Sequence, residues 1–254
     1  MKIAICYFGR LRCIDKLFEN QNKFLFGEHD VDIFFHTWNG SHITDTKDNV
    51  YYENQVKFVK ENIKPKKFFI EDSKKFEKNF INSPMCSDEC FNKDYNPQKR
   101  LSNACKPVHG LSMFYSIQQV NSLKKQYEQS NNMIYDCVAQ IRTDMKFNQK
   151  IDLDSLDLNL INKTWRDQIN YPNVSDNYMI DHNAISGSKQ MDLYSDCFLY
   201  ATTYYMNEKI SFIPEEILAF HIRDCNLKVN MIDSTHELIR SDNFAKKETH
   251  FPEL

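Results

Sequence analysis

Glycine is scarce: five residues in 254, at positions 9, 27, 40, 110 and 187. That spacing assembles neither the Gly-x-Gly-x-x-Gly turn of dinucleotide-binding folds nor the phosphate loop of the common ATPases, and so excludes an ordinary dehydrogenase or P-loop kinase. Missing too are a Gly-x-Ser-x-Gly elbow, a His-Glu-x-x-His helix and paired Cys-x-x-Cys sites. No apolar run approaches the ~18 residues that cross a bilayer, so no transmembrane segment is expected. The N-terminal apolar run is short, is broken by Arg10 and Arg12 and lacks a small-residue cleavage site, so it reads as a buried strand rather than a signal peptide. Charge of one sign is also lacking. Lys+Arg 32 against Asp+Glu 35 leaves a net charge of -3, which argues against a nucleic-acid partner but allows a local basic pocket.

What is present is ordinary for a globular chain, with 41% hydrophobic and 26% charged residues. The length favours one α/β domain and allows an appended subdomain. Eight cysteines are scattered, several inside apolar runs where a reduced thiol acts as a small hydrophobe, so a cytosolic protein without disulfides is expected. Cys86, Cys90, Cys105 and His109 admit a zinc site, with unpaired loop thiols as the simpler reading.

Residues 2–8 (KIAICYF) are nearly all apolar, as in a parallel strand covered on both faces, and Gly9 ends them. A helix through Leu17, Phe18 and Phe24, a strand over Asp30–Trp38, a helix with Val56, Val59 and Ile63 and a strand at Phe68–Ile70 follow. Such alternation predicts a parallel sheet built from right-handed crossovers. From about 73 to 106 periodicity is lost and a surface insertion is expected. A helix over 109–128 leads to a strand over Tyr135–Ile141, which runs directly into Arg142-Thr143-Asp144. Beyond it the spacing predicts a polar stretch to about Asp176, a strand near Ala184–Ser186, a helix from Ser188 to Tyr200 and another opened by Pro214.

Open α/β sheets bind ligands at the carboxyl ends of their strands. Those ends carry Gly9, Arg10 and Arg12, then His36, Thr37, Trp38 and Asn39, then Arg142 and Asp144. Glycine lets backbone approach a ligand, an arginine fork suits phosphate and an indole can stack on a base, so together they suit a nucleotide diphosphate. Each also has a plainer reading: solvated loop arginines, a packed Trp38, and a His36 satisfied within the core.

ICYFGRLR (5–12), DVDIFFHTWN (30–39), FYSI (114–117), YDCVAQIRTDMKF (135–147), DHNAISGSKQMDLYS (181–195) and PEEIL (214–218) fall in an order that resembles small bacterial and large-virus glycosyltransferases of the GT-A fold. The resemblance implies one α/β GT-A-like domain over 1–254, a nucleotide-sugar-binding sandwich with a mostly parallel central sheet. Residues 1–147 would form the donor half, and 148–254 the acceptor half. It implies a nucleotide-sugar donor, a glycan acceptor and a cytoplasmic location, the host cytoplasm if the chain is viral. It also implies an Asp-x-Asp type motif holding Mn²⁺ or Mg²⁺, which falls on Arg142-Thr143-Asp144 and so retains only Asp144 as metal ligand. Either Asp144 binds the ion with help from elsewhere, or Arg142 partly replaces the ion by neutralising the diphosphate. Asp181 is the first candidate for the general base and Glu215 the second, although a carboxylate at a helix N-terminus is also favoured by the dipole alone.

On this reading Asp144→Ala abolishes donor turnover and leaves the fold intact. Two rivals use the same residues: a metal-dependent nucleotide or phosphodiester hydrolase, and a nucleotide- or glycan-binding module without catalysis.

Overall fold

A computed structural model describes residues 1–27, 29–39, 46–81, 107–166, 174–175, 178–208, 210 and 213–239. Strands β1 (Lys2–Phe8), β2 (Asp30–Asn39), β3 (Lys67–Asp72) and β4 (Cys137–Arg142) run parallel in the spatial order β3-β2-β1-β4. The sheet continues through β9 (Asn183–Ser186), β6 (Ile161–Arg166), β10 (Val229–Leu238) and β5 (Met145–Phe147) to eight strands. Here β9 lies antiparallel to both neighbours, β6 pairs parallel with β10, and β5 closes the edge antiparallel. A short ribbon of β7 (Val174–Ser175) and β8 (Tyr178–Met179) stands apart from it. The chain is thus an α/β protein with a mostly parallel mixed sheet, and both halves of the sequence contribute strands to that one sheet.

Strand β1 shows why. Ala4, Cys6 and Phe8 face one apolar core, while Ile3, Ile5 and Tyr7 face the other. A period of two with both faces apolar requires cover on both sides. Helix α4 (Pro107–Ser130) covers the first face through Leu111, Phe114, Ile117 and Val120. On the second, α1 (Ile14–Gln21) and α2 (Thr46–Phe58) enclose a layer in which Tyr7 stacks on Phe35 at 4.4 Å. The Tyr7 hydroxyl donates to Gln21 Oε1 at 2.7 Å, so burying a phenol there leaves no polar atom stranded.

The expected insertion opens as a helix, α3 (Ser73–Ile81), whose Phe76 packs against Trp38 and Tyr115; the rest of it, 82–106, lies outside the described residues, and so do Cys86, Cys90 and Cys105. The helix expected over 188–200 is two, α5 (Ser188–Ser195) and α6 (Cys197–Glu208), broken at Asp196. Helix α7 (Pro214–Asp224) has Pro214 in its first turn, where a missing N–H leaves nothing unpaired. The polar stretch after Asn148 contains β6, and the C-terminal segment contains β10, both unforeseen. Cys6, Cys13, Cys137, Cys197 and Cys225 are free thiols. Among the described residues no helix is long and apolar enough to cross a membrane.

Candidate functional site

The strand order β3-β2-β1-β4 means that successive crossovers first build outward on one side of β1 and then return to its other side. The carboxyl ends of β1 and β4 therefore flank a topological switch point, the place at which open α/β sheets form their ligand crevice. Phe8 lies level with Arg142 there.

Gly9 turns the chain off β1 at φ +88°, a conformation that strains any side chain with a Cβ, and the space its own Cβ would occupy is open. Its N–H donates to the buried Ser116 hydroxyl at 2.7 Å. The Thr143 hydroxyl then staples the two loops. It donates to the Arg10 carbonyl at 2.6 Å and accepts from the Arg12 N–H at 3.1 Å.

Asp144 is 2% exposed and sits between two guanidinium groups. Arg142 grips it bidentately, Nε donating to Oδ1 at 2.8 Å and Nη2 to Oδ2 at 2.7 Å, while Arg12 Nη1 lies 3.4 Å from Oδ2. The Asp144 carbonyl accepts from the Ile239 N–H at 2.8 Å, which fixes the turn from the far strand. Burial works against the Arg142 charge, but Asp144 outweighs it and holds the guanidinium firmly protonated. The two arginine side chains reach the surface, 20% exposed for Arg142 and 32% for Arg12.

These residues do not fit a divalent cation. Both oxygens of the sole carboxylate in the motif already receive guanidinium donors, and an ion placed there would face two positive groups. Among the described residues no group of three or more His, Cys, Asp or Glu side chains is arranged to hold a metal.

Asn183 pairs antiparallel with Ile141, so Asp181 and His182, just before it, lie at the end of β4 that carries Arg142. Asp181 is 7% exposed, and burial together with the nearby Glu215 charge pushes its carboxyl up to about 6, against the pull of Arg142 and Lys163. Behind it runs a buried polar chain. His182 Nε2 is 3.4 Å from Asp181 Oδ1, its Nδ1 is 2.9 Å from His236 Nε2, and His236 Nδ1 is 2.7 Å from Thr164 Oγ1. Burial keeps both imidazoles neutral, His182 well below its ordinary range and His236 down to about 3. Two neutral imidazoles thus link Thr164 to Asp181 through a continuous run of polar contacts. Beside it the buried Lys163 amine, brought down to about 7 by desolvation, donates to the carbonyls of Ile180 and Asn183 at 2.7 Å each.

The crevice therefore gathers Gly9, Arg10, Arg12, Arg142, Asp144 and Asp181, with Glu215 half-buried in the first turn of α7 and near enough to act on Asp181. Two expected ligand groups are placed elsewhere. Trp38 is 4% exposed, its ring 4.9 Å from Phe76 and 5.0 Å from His36, so no face is open to stack on a base. Thr37 is fully buried on the opposite face of β2. His36 is the satisfied core residue expected, held between Ser116 at 2.8 Å and Glu71 at 3.0 Å. Lys163, Thr164 and His236 were not foreseen, because polar residues inside a strand carry no hydropathic signal.

Fold and site together define an α/β protein with a cluster of arginine and carboxylate side chains at its switch point. No protein-family model matches the chain, and no curated protein matches it either.

Proposed function

We propose that the chain is a GT-A-type glycosyltransferase that moves a sugar, most simply a hexose, from a nucleoside-diphosphate donor to a glycan acceptor. The observation that carries this reading is the pair Arg12 and Arg142, held by Asp144 at the joint carboxyl end of β1 and β4. A diphosphate there meets two guanidinium forks and the open backbone at Gly9. The donor half is residues 1–147 and the acceptor half 148–254.

In the transfer, the acceptor hydroxyl oxygen forms a bond to the anomeric carbon while the bond from that carbon to the diphosphate oxygen breaks and its electron pair leaves with the diphosphate. The arginines face the charge that develops on the leaving oxygens. Ionised Asp181 takes the acceptor's proton, and an affinity centred at about 6 suits a base that works near neutrality. Glu215 acts through Asp181 by raising that affinity.

The test is release of nucleoside diphosphate from a panel of nucleotide sugars, with and without oligosaccharide acceptors. Release that depends on acceptor, with sugar appearing on it, is expected. Release at a rate no acceptor improves indicates a hydrolase, and binding without release indicates a module; either overturns the proposal.

A further inference from the structure

We infer that this site neutralises its diphosphate with guanidinium groups alone, and that Asp144 is a positioning residue for Arg142 and Arg12 rather than a metal ligand. The inference rests on the nucleotide-sugar reading above. Four observations carry it.

Asp144 is buried, so it is not presented to an incoming phosphate or ion, whereas the two arginines that hold it reach the surface. Its oxygens are engaged on both sides, Oδ1 by Arg142 Nε at 2.8 Å and Oδ2 by Arg142 Nη2 at 2.7 Å with Arg12 Nη1 at 3.4 Å. A divalent cation would have to break a bidentate charge-assisted pair to reach them. Guanidinium groups flank the Asp144 carboxylate on both of its oxygens, so a ligand arriving there meets positive charge first, which a diphosphate matches and a metal ion does not.

The remaining observation is the loop. Thr143 holds the backbone between Arg10 and Arg12, and the Asp144 carbonyl is tied to Ile239, so the two forks start from backbones that are already set. Arg142 turns two of its N–H groups inward to Asp144, and its other N–H donors remain for a ligand. A planar fork locked at one edge by a carboxylate presents its opposite edge in a fixed plane, which matches paired phosphate oxygens better than a free lysine does.

Isothermal titration of UDP, GDP and dTDP into the full chain, in EDTA and in Mn²⁺, tests this. For the nucleotide that binds, the affinity in EDTA is expected within about threefold of that in Mn²⁺. Arg142→Gln and Arg12→Gln are each expected to weaken it by tenfold or more in both buffers, with Arg142→Lys restoring only part. Asp144→Asn is expected to weaken binding in both buffers equally, as loss of a positioning residue does. Thermal unfolding of each variant checks that it is folded, and Arg12→Gln, at the more exposed arginine, decides the matter if Arg142→Gln is not. Binding seen only with Mn²⁺, or a loss in Asp144→Asn confined to Mn²⁺, overturns the inference and leaves the glycosyltransferase reading standing. Absence of binding in both buffers overturns the two together.

Discussion

Arg142 and Asp144, two residues apart in the turn that ends β4, face each other as a closed bidentate pair with N–O distances of 2.8 and 2.7 Å. A pair so placed has a structural consequence as well as a chemical one. Asp144→Ala was expected to leave the fold intact, but the carboxylate is the buried counter-charge of a largely buried guanidinium.

Removing it leaves Arg142 uncompensated, and breaking a buried pair in this way destabilises by about 3 kcal/mol. Asp144→Asn should therefore lower the free energy of unfolding by about 2 to 3 kcal/mol, whereas Arg12→Gln, a longer and more exposed contact at 3.4 Å, should change it by less than about 1 kcal/mol. Urea titrations of both variants beside the native chain check the contrast; equal losses would show that Arg142 is not the group Asp144 serves.

Trp38 separates packing from recognition. Its indole lies against Phe76, His36 and Tyr115. Trp38→Phe should cost about 1 to 3 kcal/mol of stability by opening a void in that cluster. Nucleotide affinity should stay within about twofold. A large loss of affinity in a stable Trp38→Phe variant would restore the ring as a base platform.

The pH dependence of turnover should follow Asp181. Its carboxyl is raised by burial and by Glu215 to about 6, so the base is unavailable below that pH and turnover should rise to a plateau above it. Stability runs the other way. A carboxyl that holds its proton more tightly when folded than when unfolded supports the fold below about 4, its ordinary range, and that support is lost as pH rises through about 6. Asp181→Asn should abolish turnover and gain stability relative to the native chain between pH 5 and 8, by roughly 2 kcal/mol at the upper end. Rate profiles and urea midpoints over that range test both halves, and an unchanged rate profile in Asp181→Asn removes it as the base.

His236 gives the opposite slope. Burial, with Arg166 and Arg142 near it, brings its imidazole down to about 3, so its support is present above the ordinary histidine range and is lost as pH falls. His236→Gln, which does not titrate, should blunt that loss by about 2 kcal/mol between pH 6.5 and 5, read as the difference between variant and native urea midpoints. It should also lower kcat more than KM, because the run of polar contacts behind Asp181 is broken. Parallel stability profiles would place the proton elsewhere.

Much of the donor half was legible because β1, β2 and β4 are buried on both faces and announce themselves, as KIAICYF does. The residues at their ends were legible for the same reason: a charged group directly after an apolar run has few places to go. What was hidden lies in the second half. Strand β6 buries Lys163 and Thr164, and β10 buries His236, each satisfied by partners distant in sequence, so neither strand alternates by hydropathy. His182 and His236 are 54 residues apart, and only the parallel alignment of β6 with β10 beside β9 brings them together. The grip of Arg142 on Asp144 was equally unreadable. At a spacing of two the groups share one face of a strand but stand about 6 to 7 Å apart along it, and they close into a bidentate pair only because the chain turns at Thr143-Asp144.

A crystal structure of the chain with the bound nucleoside diphosphate is the most direct test of where the donor docks. The phosphates should lie within hydrogen-bond distance of the Arg142 and Arg12 guanidinium groups, above Gly9, with the Arg142 to Asp144 pair intact. A diphosphate on another surface, such as the 530 Å³ cleft lined by Lys125, Glu128 and Asn132, or one touching neither arginine, would contradict it.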